Sequence, residues 1–178
     1  MPILGIIASQ NYPRITNSYE SIATVTVGSG GQSTITFSSI PSTYKHLQIR
    51  AISKNTTSGQ DAVLSLNGNF IGYRHFLFGD GSGSGAGADT SGGGVISAAS
   101  TVSNTFAVFV MDILDYANTN KNKTVRALQG GDYNGSGVVA FNSWLYSTNT
   151  NAITSLTLTS SGTNFAQHSQ FALYGIRD

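Results

Sequence analysis

The sequence predicts an all-β fold, an antiparallel β-sandwich of jelly-roll type, and three observations predict it. Apolar and polar residues alternate at a period of two along much of the chain. No window of a dozen residues carries the i, i+3, i+4 apolar stripe of a helix. About ten such runs are separated by clusters of Gly, Asn, Ser and Pro, the spacing of sandwiches and barrels. One run, Phe106 to Leu114, is apolar on both faces. Such a strand belongs at the centre of a sheet, where its second face can also lie against a partner subunit.

The elements follow in order. Ser21 to Val27 places Ile22, Thr24 and Thr26 on one face and Ala23, Val25 and Val27 on the other. Thr34 to Phe37 pairs Ile35 with Phe37, and Leu47, Ile49 and Ala51 face away from His46, Gln48 and Arg50. Val63 to Leu66 runs into Asn67-Gly68, a dipeptide suited to the positive φ angles of a type I′ turn, and Phe70 to His75 returns. A second tight turn at Tyr133-Asn134-Gly135 joins Val125–Leu128 to Val138–Tyr146. Ala152–Thr159 and Phe171–Ile176 supply the last strands. Greek-key closure then requires a long-range pairing of 21–27 with 170–176.

A chain of 178 residues fits one domain. Residues 1–19 form a Pro-punctuated apolar arm, and 20–178 form the sandwich. Residues 79–94, half of them glycine, read as a flexible surface loop. The sharper reading is a backbone-dense segment that packs closely on a neighbour, since glycine permits close approach.

Lys plus Arg number 9 and Asp plus Glu 8, a net charge of +1. This balance gives no electrostatic case for nucleic acid or an anionic membrane. Charged residues are 10% of the chain, against about 25% in a typical soluble domain. The solvated faces must therefore be Ser, Thr, Asn, Gln and Gly, which suits dense packing beside copies of the same chain. With no cysteine, disulfides and thiolate metal sites are excluded. Ile3-Leu4-Gly5-Ile6-Ile7 is too short for a signal sequence, and no run approaches the ~20 apolar residues of a membrane span. The expected place of synthesis is a cytoplasm. Asn-x-Ser/Thr triplets at Asn55, Asn122 and Asn134 read as by-products of composition.

Catalytic patterns are not met. The glycine run lacks the lysine and following helix of a phosphate-binding loop. There is no Gly-x-Ser-x-Gly elbow, and His46, His75 and His168 read as strand or rim residues with local hydrogen bonds. Glu20 is the only glutamate, and Asp112 and Asp115, three apart on a strand, point to opposite faces. No catalytic residue, cofactor or metal site is assigned. Calcium is the metal that the oxygen-rich run 112–120, with Asp132-Tyr133-Asn134, suits best. The competing reading is an Asx-turn network that orders the loop. Trp144, Tyr146, Tyr116 and Tyr133 can form a stacking platform for a sugar, but Phe141, Leu145 and the alternation around them favour core or subunit-interface anchoring for Trp144.

Several segments resemble small virion proteins of tailed phages. They are Met1–Ser9 (MPILGIIAS), Tyr19–Gly28 (YESIATVTVG), Ser38–Arg50 (SSIPSTYKHLQIR), Asp115–Thr124 (DYANTNKNKT), Trp144 with Ser147-Thr148, and Phe171–Ile176 (FALYGI). The resemblance spans nearly the whole chain in order. It implies a jelly-roll module without enzymatic activity, either a capsid cement or decoration protein or a tail-appendage or fibre protein, commonly trimeric. The chain has neither repeats nor heptads of a fibre shaft, which favours a homotrimeric cement protein bound to the major capsid protein at the virion surface. On that expectation Ile3, Leu4, Ile6, Ile7, Tyr12 and Arg14 of the arm contact the capsid. Trp144, Tyr146, Tyr116 and Tyr133 then lie at a subunit interface or, in the rival tail-attached module, on a glycan platform.

Overall fold

The computed structural model describes residues 18–57, 61–70, 72–80, 82–89, 94–95, 105–132 and 137–177. Within them the chain is all-β, with thirteen strands in two antiparallel sheets. They are β1 (Tyr19–Thr26), β2 (Thr34–Phe37), β3 (His46–Ser53), β4 (Ala62–Leu66), β5 (Asn69–Phe70), β6 (Gly72–Gly79) and β7 (Ser84–Asp89). After them come β8 (Gly94–Val95), β9 (Ala107–Leu114), β10 (Lys123–Asp132), β11 (Gly137–Tyr146), β12 (Leu156–Ser160) and β13 (Gln170–Ile176). The larger sheet runs β1-β13-β3-β9-β10-β11-β6-β7, and the smaller β2-β12-β4-β5 with β8 also on β4.

The expected long-range closure is present. Tyr19 pairs with Ile176 and Thr26 with Gln170, so the first strand lies beside the last. β9 is fourth of eight and sends Phe109, Met111 and Ile113 into the core. There they join Leu47 and Ile49 of β3 and Phe171 and Leu173 of β13. They face Ile35 and Phe37, Leu64 and Leu66, and Leu156 and Leu158 of the smaller sheet. Alternation works because each strand presents successive side chains to opposite faces.

Four local expectations are revised. A bulge between Ser21 and Ala23 makes Ile22 the extra residue, and Ile22 packs against the core instead of sharing the outer face with Thr24 and Thr26. Tyr19 opens β1, so the arm ends before it. Residues 152–155 are a loop and only Leu156–Ser160 is strand. The glycine-rich run is not a simple loop, since Ser84–Asp89 pairs along β6 as the sheet's edge strand. A Cβ on Gly87 would meet the Phe76 ring at 2.5 Å, and one on Gly85 the Phe78 ring at 2.8 Å. The missing side chains let two phenyl rings lie across the neighbouring strand, and the rings shield backbone that glycine leaves bare. Close approach was the sharper of the two readings.

The Asn67-Gly68 turn forms as expected, with φ of 49° and 77° and Leu66 opposite Asn69. The return strand is brief. After β5 the chain crosses to the other sheet as β6, with Tyr73 at φ 51°. Asp132 opposite Gly137 closes the β10–β11 pairing, while Tyr133-Asn134-Gly135 lies outside the described residues.

Candidate functional site

The oxygen-rich run after β9 is a staple built around one lysine. Lys123 opens β10 on the same inward parity as Val125 and Ala127, and it is fully buried. Its ammonium donates to the carbonyls of Asn118, Lys121 (2.9 Å) and Thr150 (2.8 Å). A neutral amine has two N–H groups and the cage has three acceptors, so the geometry selects the charged form. Burial nevertheless draws the Lys123 pKa below the ordinary lysine value, and nearby Asp115 acts to raise it. Of the run that suits calcium, the Asn118 carbonyl is taken by this ammonium.

The loop around the cage is ordered by local hydrogen bonds. Asp115 sits at φ 49°, its N–H donates to His46 Nδ1 at 2.9 Å, and its carboxylate pairs with Lys121. The Lys121 contact holds the Asp115 pKa below the usual carboxylate value. Asn118 N–H donates to the Asp115 carbonyl, and Asn118 Oδ1 accepts from Asn120 N–H, the Asx-turn pattern that competed with the calcium reading. Tyr116 is fully buried and its hydroxyl donates to the Pro41 carbonyl. Burial pushes that hydroxyl's pKa up. The Asp115–Lys123 motif thus ties β9 and β10 to the 41–44 and 150–153 loops.

The proposed aromatic platform is not a surface. Trp144 is 2% exposed, and Tyr116 and Tyr146 are 0% exposed. All three project into the core because they take the inward positions of their strand or turn, as Ala140 and Asn142 do on β11. They form neither a glycan platform nor a subunit interface. Tyr133, and Ile3, Leu4, Ile6, Ile7, Tyr12 and Arg14 of the arm, lie outside the described residues.

The histidines are separate. His46 serves Asp115, His75 is exposed on β6, and His168 sits at φ 70° in the turn before β13, its N–H on the Val27 carbonyl. Among the described residues no cluster of His, Asp or Glu is arranged to hold a metal ion. Asn55, in the first Asn-x-Thr triplet, is buried and accepts from Ser160 Oγ at 3.1 Å.

The feature that sequence reasoning located only in part is the outer face of the larger sheet. Register places Val110, Leu128, Phe141 and Leu77 in one line across β9, β10, β11 and β6. A parallel line carries Ile52, Val108 and Val139, interrupted by Gly130. These seven side chains are 41% to 63% exposed. The double-sided hydrophobicity of β9 signalled the strip, and the same alternation in β10 and β11 would have extended it.

A polar line borders the strip. Asp112 accepts from Gln48 Nε2 at 2.8 Å and pairs with Arg126 at 3.3 Å. Gln48 Oε1 accepts from Arg50 Nε at 2.7 Å, and the Arg50 guanidinium stacks between the Tyr19 and Tyr174 rings, 5.1 Å from each centroid. Between Arg50, Val108, Val110 and Tyr174, over Ala172, lies an open depression of about 240 Å³. That is smaller and shallower than the roughly 300–1,000 Å³ clefts that enclose small ligands.

The smaller sheet is solvated differently. Its outer face carries Thr34 and Thr36, Thr157 and Thr159, the half-buried Val63, and an exposed Phe70 opposite a buried Ser65, with Thr36 and Thr157 hydroxyls 3.1 Å apart. One face of the sandwich is therefore mainly hydroxyl, with an exposed ring at Phe70, whereas half of the other is aliphatic and aromatic. Compared with family models, curated proteins and solved structures, the chain matches none.

Proposed function

We propose that this chain is a non-enzymatic structural protein of a phage virion, a capsid cement or decoration protein that binds the major capsid protein shell as a homotrimer and stabilises it. The observation that carries the reading is the uncovered apolar face of the larger sheet. A sheet face with seven large apolar side chains in two lines is a surface made to be covered by protein. Other features support it. The polar clusters of the 41–46, 115–123 and 147–153 loops are consumed in holding those loops together. The winding sets β1 beside β13 and β2 beside β12, the order that a jelly roll produces by folding a long hairpin over itself.

On this reading the arm reaches the shell and the sandwich supplies the bulk. Three arms on one trimer bind far more firmly than one, because the second and third contacts are intramolecular. The rival tail-attached glycan module loses its principal support with Trp144, Tyr116 and Tyr146 in the core. Adding purified protein to shells that lack it tests the proposal. Saturable binding and a higher shell disruption temperature are expected, and both should be lost when residues 1–17 are deleted. A full-length protein that neither binds shells nor raises that temperature would sink the reading.

A further inference from the structure

We infer that the outer face of the β9–β10–β11–β6 half-sheet is covered by a second copy of this chain, and that this is the interface of the homo-oligomer. Three arguments favour a copy of the chain over other occupants. The first is area. The exposed parts of the apolar strip, Val108, Val110, Leu128, Val139, Phe141, Leu77 and Ile52, amount to about 600 Å², at the top of the roughly 300–600 Å² of the largest apolar patch on a typical monomer. With flanking polar atoms it comes within reach of the ~800 Å² that each partner gives a standard interface.

The second is charge. The strip itself carries no charged side chain, and the charges along its border are already engaged. Asp112 holds Arg126 and Gln48, and Arg50 lies between two tyrosines. A neutral strip offers nothing to a charged partner and costs nothing in repulsion against itself. With a net charge of +1 per chain, copies approach without an electrostatic barrier.

The third is shape. The depression over Ala172 opens at the margin of the strip, next to Val108 and Val110. A projecting aliphatic or aromatic side chain from the neighbouring copy can seat there as an anchor, the arrangement that concentrates interface energy in a few residues. Among the described residues the outer face of the smaller sheet, mainly threonine with one exposed ring at Phe70, has no comparable strip.

This inference deepens the proposed function by assigning its self-association surface, and its test is separable from shell binding. The full-length protein is analysed by sedimentation velocity over a micromolar concentration series, beside Leu128→Glu and Val139→Lys on the strip and Thr36→Glu on the opposite sheet. Each substituted side chain is solvent-facing in a single copy, and circular dichroism confirms that the variants fold. Wild type and Thr36→Glu are expected to sediment as one oligomer, and both strip variants as monomers. A monomeric wild type, or strip variants that remain oligomeric, overturns the inference. If one strip variant fails to fold, the other and the wild-type sedimentation still decide. Shell binding is measured separately. Loss of binding in strip variants of a monomeric wild type would assign the face to the shell, refuting self-association while leaving the cement reading in place.

Discussion

Replacing Lys123 with methionine tests whether the 115–123 motif is a structural staple. Methionine keeps the length and apolar stem but removes the ammonium, so three carbonyls, of Asn118, Lys121 and Thr150, face a thioether. A buried acceptor left without a partner costs about 1–3 kcal/mol, so three of them put the loss at about 3–5 kcal/mol in total once the surroundings relax. For a chain of this size 1 kcal/mol moves Tm by about 2–4 °C, which puts the expected fall at about 6–20 °C. Urea and thermal unfolding of purified Lys123→Met read it directly. Lys121→Met is the control. Its ammonium is 55% exposed and contacts Asp115 from outside, so its loss should cost under about 1 kcal/mol. A Lys123→Met protein within about 1 kcal/mol of wild type would refute the assignment.

Three other substitutions follow from the same reasoning. A Cβ on Gly175 would lie 2.3 Å from Tyr44 Cγ, at the root of the ring, so Gly175→Ala should cost about 1–3 kcal/mol in urea unfolding. Asn67 combines φ 49° with a side chain that accepts from Thr154 and Ser155 N–H at 2.9 and 3.2 Å and donates to the Ala152 carbonyl at 2.9 Å. Asn67→Ala should therefore cost about 2–4 kcal/mol, while Asn67→Asp, which keeps both acceptor contacts, costs less. Lys121 lowers the Asp115 pKa and Arg177 lowers that of Glu20. Folded carboxyls with depressed pKa values contribute stability above their unfolded values, near pH 4, and lose it as pH falls through the folded values. Stability measured from pH 7 downwards should decline below about pH 4, and Asp115→Asn should flatten part of that decline.

The sandwich was legible because its core strands alternate cleanly. β3, β9 and β13 could be placed from parity alone, and the closure of β1 on β13 followed from the number and order of strands. What escaped had physical reasons. The bulge at Ile22 shifts one residue without altering the apolar pattern that precedes it. β7 has no side-chain alternation to read, because its glycines make room for rings that belong to β6. Loop 152–155 resembles strand in composition, but the Thr154 and Ser155 N–H groups go to the Asn67 side chain and that of Ile153 to the Tyr116 carbonyl, instead of to a neighbouring strand.

The site was less legible than the fold. Trp144 and Tyr146 were visible as a same-face pair, and parity with Ala140 and Asn142 places that face inward. Composition alone leaves a sugar platform open beside a core or interface anchor. Lys123 carries a charge, and charged side chains are seldom fully buried. Its shared parity with Val125 and Ala127 was the available sign that it points into the core. The exposed strip was signalled by Val108 and Val110, yet its extent depends on which strands flank β9, and pairing partners so distant in sequence are not readable from local pattern.

The central claim is that this protein covers a shell in many copies. Counting copies per particle in purified virions that contain it, by gel densitometry against the major capsid protein or by electron-microscopy reconstruction, tests that claim most directly. The account predicts hundreds of copies, arranged in threes over the capsid surface. A handful of copies confined to the tail would contradict it.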